Sequence, residues 1–222
     1  MKQLQRWFSR CGALPLTCYL VAVALWLVLG AVHWGSDALA KQAGKMYESE
    51  IPVTDWQLAG LEDSGSTAET ALLTTTDGDP QMILEDVSDR VVRTVSYTVE
   101  FDGDAREMCL YYTTRVGEDY SQDRRVFPES LGDGQYLYTL PRTTIVALRL
   151  DPCSPDENKT VGLTFTPGTI TLNAPETLPA VWQYFVPSWY QAFCLVLYPA
   201  LAAAALSWLR AVWAKIPSRR RG

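Results

Sequence analysis

The sequence predicts a mainly β exported domain, a jelly-roll-like β-sandwich, flanked by two transmembrane α-helices. Three observations carry this. Two long runs hold no Asp, Glu, Lys or Arg: Cys11–Ser36, over 26 residues, and Thr177–Leu209, over 33. All 25 acidic residues lie between Asp37 and Glu176 against 11 basic ones, a net of −14, while the two ends carry eight basic residues and no acid. Between the apolar runs, short alternating segments recur, divided by Gly, Pro and Asp.

Residues 1–13 form a basic tail with Lys2, Arg6 and Arg10, and residues 14–34 form the first span. A helix of about 20 residues rises roughly 30 Å, the depth of a bilayer's hydrocarbon core. A cleaved secretory signal is the alternative, with Ala38-Leu39-Ala40 as its small-residue site. The run exceeds the roughly 7–15 apolar residues of a signal and ends in bulky Trp34, which favours a retained anchor. Residues 35–50 read as a juxtamembrane segment, with a short helix over 38–50.

The sandwich is expected over 51–177. Val91–Phe101 puts Val91, Val95, Tyr97, Val99 and Phe101 on one face and Val92, Thr94, Ser96, Thr98 and Glu100 on the other, the period of a half-buried strand. Further strands are expected in 107–114, 134–140, 143–151, 160–166 and 168–174, with weaker ones in 56–61, 70–76 and 81–85. Asp77-Gly78-Asp79-Pro80, Asp102-Gly103-Asp104, Gly132-Asp133-Gly134, Asp151-Pro152 and Pro167-Gly168 supply the turns. Eight or nine short strands point to a sandwich.

Residues 178–188 form an aromatic interfacial segment with Trp182, Tyr184 and Phe185, and residues 189–213 the second span, with Trp189, Tyr190, Trp208 and Trp213 at its edges and Pro199 inside it. Residues 214–222 close with a second basic tail. Basic flanks on the outer side of both spans place both termini in the cytoplasm and the acidic middle outside, in a plasma-membrane protein with two spans. The tail signal of a lipid anchor is not expected, because basic sequence follows the second apolar run.

Cys11, Cys18 and Cys194 lie in or beside the spans; Cys109 and Cys153 alone fall in the exported part and are expected to form a disulfide, free buried thiols being the alternative. Histidine-dependent catalysis is disfavoured because the one histidine, His33, sits at the end of the first span. No Cys/His cluster points to zinc and no Gly-rich loop to phosphate; the Asp-Gly-Asp turns are compatible with calcium but need none. No cofactor, no metal, no nucleic-acid partner and no enzymatic activity are expected. Asn158-Lys159-Thr160 fits the glycosylation acceptor pattern.

Along 136–165, Tyr136, Tyr138, Leu140, Pro141, Ile145, Leu148, Arg149, Leu150, Asp151 and Pro152, followed by Val161, Leu163 and Phe165, form a pattern. It resembles the accessory β-sandwich of bacterial cell-envelope polysaccharide glycosyltransferases and related membrane proteins. The resemblance covers about 40 residues, includes no nucleotide-sugar domain, and implies a jelly-roll module that accompanies glycan machinery. Independently, Tyr136 and Tyr138 share one side of their strand, where rings stack on sugars or fill a core, and Arg149 and Asp151 share a side, where they pair or bind a ligand. The expected function is a non-catalytic, membrane-anchored sandwich of the bacterial envelope, with Tyr136, Tyr138, Arg149 and Asp151 as ligand-binding candidates. It binds glycan or docks onto glycan-synthesis machinery. An assembly subunit of a membrane complex, partnered through its helices, and a carboxylate-dependent glycan hydrolase are the alternatives.

Overall fold

The computed structural model describes residues 13–67, 69–156 and 159–215. Lys2, Arg6, Arg10 and Arg219–Arg221 of the basic tails, and Asn158 of the acceptor pattern, lie outside the described residues. The chain divides into two compact units, Asp37–Leu178 and the paired flanks Met1–Ser36 and Pro179–Gly222.

Helix α1 is Ala13–Gln42, in the flanking unit as far as Ser36, and helix α2 of that unit is Trp189–Lys215. Both are long and apolar enough to cross a membrane. Leu20, Leu25, Val28 and Val32 on α1, and Phe193, Val196 and Leu201 on α2, expose their side chains. Such bare apolar surface needs a lipid or protein neighbour. α1 meets α2 through Tyr19 Oη, which donates to Val196 O at 2.9 Å, and meets the turn before α2 through Trp26 Nε1, which donates to Phe185 O at 3.3 Å. Gly30 permits the approach, because a Cβ there would stand 2.7 Å from Tyr184 O. Ser188 caps α2: Gln191 N donates to Ser188 Oγ and Ser188 N to Gln191 Oε1, the reciprocal pair of a capping box. Pro199 lies within α2 as expected.

The separate juxtamembrane helix expected over 38–50 is not formed. Instead α1 runs unbroken to Gln42, and Gly44, at φ +65°, turns the chain out while Lys45 N bonds back to Ala40 O at 2.9 Å. The first strand then starts at Ser49, inside the region assigned to the linker.

The other unit is a β-sandwich. Its strands, among the described residues, are β1 (Ser49–Pro52), β2 (Gln57–Ala59), β3 (Leu61–Asp63), β4 (Ala71–Thr75), β5 (Gln81–Leu84), β6 (Thr94–Asp102), β7 (Cys109–Thr113), β8 (Arg125–Val126), β9 (Glu129–Gly132), β10 (Gln135–Thr139), β11 (Ala147–Asp151), β12 (Gly162–Phe165) and β13 (Thr169–Leu172). An eight-stranded sheet is organised around β6, and a five-stranded sheet runs β2-β5-β11-β7-β8. All pairings are antiparallel. Val95, Tyr97 and Val99 of β6, Leu163 and Phe165 of β12, and Ile170 and Leu172 of β13 join Met82, Leu110, Leu148 and Leu150 of the other sheet in one buried cluster. The alternation along β6 therefore points its apolar face inward, as its period requires.

Two departures from the sequence reading have local causes. The expected strand 56–61 breaks at Gly60, at φ +65°, so that β2 joins one sheet and β3 the other; a Cβ there would collide with the Asp77 carboxylate. Pro167-Gly168 does not fold β12 and β13 back on each other. Both strands lie along the same edge of β6, paired Phe165↔Val99 and then Thr171↔Ser96, so six residues advance on one side against three on the other. The surplus bulges out, and Gly168 exchanges hydrogen bonds with Val53 N and Glu69 O.

At one end of the sandwich Asn173, 1% exposed and at φ +56°, ties four backbone groups together. Its Oδ1 accepts from Arg93 N (2.7 Å) and Thr94 N (3.4 Å), and its Nδ2 donates to Val91 O (2.7 Å) and Tyr47 O (3.3 Å).

Candidate functional site

The outer face of the five-stranded sheet follows from β11's alternation. Leu148 and Leu150 point into the core, so Arg149 and Asp151 point away from it, opposite Tyr111 and Cys109 of β7 in the register. Arg149 Nε and Nη2 each donate to an Asp151 carboxylate oxygen at 2.7 Å, and Nη2 reaches Asp79 Oδ1 at 3.4 Å. The guanidinium carbon stands 4.9 Å from the centre of the Tyr111 ring and 6.0 Å from that of Tyr120. A planar, delocalised cation pairs two-pronged with a carboxylate and stacks on ring faces at once, which a lysine cannot do.

Burial pushes the Asp151 carboxyl above its ordinary range, against the downward pull of the Arg149 hydrogen bonds. Burial alone would lower the Arg149 pKa, but the bonds and charge of Asp151 outweigh it and raise it. Tyr111 and Tyr120 are likewise pushed up by burial, so both phenols stay neutral and keep a hydroxyl to donate.

Beside this stack opens a cleft of about 270 Å³. Glu85, Asp86, Ser88, Arg115, Glu118 and Tyr120 line it, and Ala147 of β11 borders it. Glu118 is fixed: it accepts from Thr114 N at 2.8 Å and Thr114 Oγ1 at 3.1 Å, and pairs with Arg124. The Thr114 backbone bond, then Arg124, hold its pKa down to about 2. Asp86 is lowered by Ser88, whose Oγ donates to it at 2.6 Å. The walls thus offer fixed acceptors, a cation and one aromatic ring. Among the described residues no three His, Cys, Asp or Glu side chains group to hold a metal ion. In the Asp77 turn, Asp77 Oδ1 accepts from Asp79 N at 2.9 Å, an ordinary turn contact.

Of the four residues singled out from sequence, Arg149 and Asp151 come together here. Tyr136 and Tyr138 lie on β10 of the opposite sheet and face inward. Tyr138 is fully buried, its hydroxyl 3.0 Å from that of Tyr97, and Tyr136 is half-buried, 5.9 Å from Tyr97 and 6.3 Å from Phe101 between ring centres. A ring enclosed in the core presents no face to a sugar, which corrects the ligand-binding role expected of Tyr138 and makes Tyr136 a packing residue at the core's edge. The expected Cys109–Cys153 bridge is also absent: both thiols are free. Cys153 belongs to the core cluster, whereas the Cys109 Sγ points to Asp151 Oδ2 (3.9 Å) on the outer face, so the two side chains lie on opposite sides of the sheet.

Sequence reasoning missed Tyr111, Tyr120 and the cleft. Tyr111 had a signal, the position between inward Leu110 and Tyr112; Tyr120 lies in a loop with no pattern.

No family model matches the chain, and no curated protein matches it. Solved structures with a loosely similar arrangement include a low-affinity xylan-binding module from Roseburia intestinalis, 16% identical, covering 57% of this chain and 94% of its own, at a TM-score of 0.36. A module from Clostridium stercorarium in complex with cellobiose is 9% identical over 56% of this chain and 92% of its own, at 0.35. A β-1,3-glucan-binding module from Bacillus halodurans is 10% identical over 57% and 96%, at 0.35.

Proposed function

We propose that this chain is a non-catalytic protein of the bacterial cell envelope, anchored by α1 and α2 in the plasma membrane, whose sandwich binds neutral or amino-sugar glycan on the extracytoplasmic side. Eight basic residues flank the two apolar runs on their outer sides and a net of −14 lies between the runs, which favours both ends in the cytoplasm. The observation that carries the binding role is the cleft beside the Tyr111–Arg149–Tyr120 stack. Tyr120 supplies a ring face to an apolar sugar surface, while Glu118, Asp86, Ser88 and Arg115 supply acceptors and donors to hydroxyls. An acidic domain opposes acidic polymers by like-charge repulsion. One ring and an open cleft hold a single sugar weakly, and clustering on a membrane strengthens the hold through multivalency. A module of this kind docks onto, or presents polymer to, envelope glycan machinery.

A second reading, an assembly subunit, draws on the apolar groove of about 620 Å³ between α1 and α2, lined by residues such as Val21, Leu25, Leu195 and Leu206. A helix of a partner membrane protein fits there through close packing. The full chain in lipid nanodiscs, screened against neutral, amino-sugar and acidic polysaccharides, decides between them. Retention of a neutral or amino-sugar polymer supports the first reading. Retention of none, with a membrane protein copurifying in mild detergent, supports the second.

A further inference from the structure

The cleft beside Tyr120 lies wholly within the sandwich unit, and its ionised groups do not balance. Glu85, Asp86 and Glu118 line it against one lining cation, Arg115. Glu118 is matched, by Thr114 at one carboxylate oxygen and by Arg124 at the other. Glu85 and Asp86 are not. Val87, fully buried, ties the segment after β5 to the sandwich by donating its N to Val146 O at 2.8 Å, while Glu85 and Asp86 before it stay exposed. Asp86 Oδ1 accepts from Ser88 N at 2.9 Å and Ser88 Oγ at 2.6 Å, which orients the carboxylate and leaves Oδ2 without a donor among the described residues. Glu85 makes no hydrogen bond or ion pair among them.

This unmatched charge stands beside the ring. Burial pushes the Tyr120 phenol up; Arg149 opposes the rise and Glu85 adds to it, so the Glu85 carboxylate is near enough to act on that side chain. Arg149 does not supply the missing counter-charge, because Asp151 accepts two of its bonds at 2.7 Å and Asp79 a third at 3.4 Å. An aromatic face flanked by unmatched carboxylates suits a ligand that joins a cation to an apolar ring surface. An ammonium donates to a carboxylate in charge-assisted bonds about twice as strong as neutral ones, and it is drawn to the face of a tyrosine ring. A sugar hydroxyl gains only the weaker bond, and an acetylated nitrogen carries no charge.

We propose that the cleft takes a glycan with free amines, an amino-sugar polymer whose ammonium is held by Glu85 and Asp86 beside the Tyr120 ring. This rests on the reading of the cleft as a glycan site and narrows its ligand from neutral or amino-sugar glycan to the free-amine class. The acidic middle of the chain, with its net of −14, draws such a polycation from a distance, and the cleft fixes one amine.

The test titrates the full chain in nanodiscs with β-1,4-linked tetramers of glucosamine, N-acetylglucosamine and glucose, at about pH 6, where carboxylates are ionised and amines carry a proton. The glucosamine tetramer should bind at least about fivefold tighter than the other two, and the double variant Glu85→Gln, Asp86→Asn should bring all three to parity. Both residues are exposed, and asparagine keeps the acceptor for Ser88, so the fold is retained, as circular dichroism checks. Glu100→Gln, an exposed carboxylate removed from β6 of the other sheet, should leave the preference unchanged. Equal binding of the three tetramers, a preference that survives the double variant, or one that Glu100→Gln weakens as much, overturns the amine site while the cleft remains a glycan site. Failure of every tetramer to bind, or binding that Tyr120→Ala leaves untouched, overturns the glycan reading of the cleft and the amine site with it.

Discussion

Replacing Arg149 with Gln removes the counter-ion of a carboxylate that the sandwich has already taken out of water. The Arg149 and Asp151 side chains are 19% and 11% exposed, and two bonds of 2.7 Å join them. Breaking a buried pair by deleting one partner costs about 3–5 kcal/mol, and the residual exposure here puts the loss near the lower end, about 3 kcal/mol at neutral pH. About 1 kcal/mol of this is stacking lost from Tyr111 and Tyr120, which pH does not touch. The rest titrates. Asp151 has a folded-state pKa above its ordinary 3.8, so the folded chain holds that proton more tightly than the unfolded chain. Its proton-linked contribution is complete below the unfolded pKa and is lost as pH rises through the folded value. In Arg149→Gln only the weak Cys109 hydrogen bond still opposes the effect of burial, and the folded pKa climbs further. The gap between variant and parent should therefore be about 1 kcal/mol below about pH 4 and widen to about 3 at neutral pH. Denaturant unfolding of the full chain in mild detergent, followed by near-ultraviolet circular dichroism across pH, measures it. Adding Asp151→Asn to the variant should bring neutral-pH stability back to within about 1 kcal/mol of the parent. A gap that does not change with pH, or that stays under about 0.5 kcal/mol throughout, refutes the reasoning.

Three further outcomes are expected. Tyr138→Phe leaves the buried Tyr97 hydroxyl without its partner and should cost about 1–2 kcal/mol in the same unfolding assay, with glycan retention unchanged. Asn173→Ala loses four hydrogen bonds at a left-handed position and should be the more damaging substitution, with Asn173→Gly about 1 kcal/mol milder because glycine adopts φ +56° freely. Cys153, buried and with its thiol pushed up to about 12 by that burial, should resist alkylation until the chain unfolds, and peptide mapping without reduction should yield no Cys109–Cys153 pair.

The sandwich was legible where a strand is long enough to repeat its period. β6 shows five alternations and was placed on the right face, whereas β8, with two residues, and β9, exposed throughout, carry no pattern to read. Turn chemistry located Gly132-Asp133-Gly134 between β9 and β10, with all three at positive φ, but misjudged Pro167-Gly168, because whether a break folds back or bulges depends on the neighbouring strand and not on the break itself. The candidate site was half legible. Arg149 and Asp151 follow from alternation along one strand, while Tyr138 could be assigned to core or surface only by knowing which face of β10 meets the other sheet. The cleft depends on the Thr114–Glu118 contact that shapes a loop, and loop shape is not written in any period.

The central claim is that the cleft beside Tyr120 binds glycan. Calorimetric titration of the full chain in nanodiscs, with oligosaccharides cut from whichever neutral or amino-sugar polymer it retains, tests that claim most directly. The account predicts weak, saturable binding that Tyr120→Ala abolishes, with the sandwich still folded by circular dichroism, and that Tyr138→Phe preserves. Binding that survives Tyr120→Ala, or no binding by the parent chain, contradicts it.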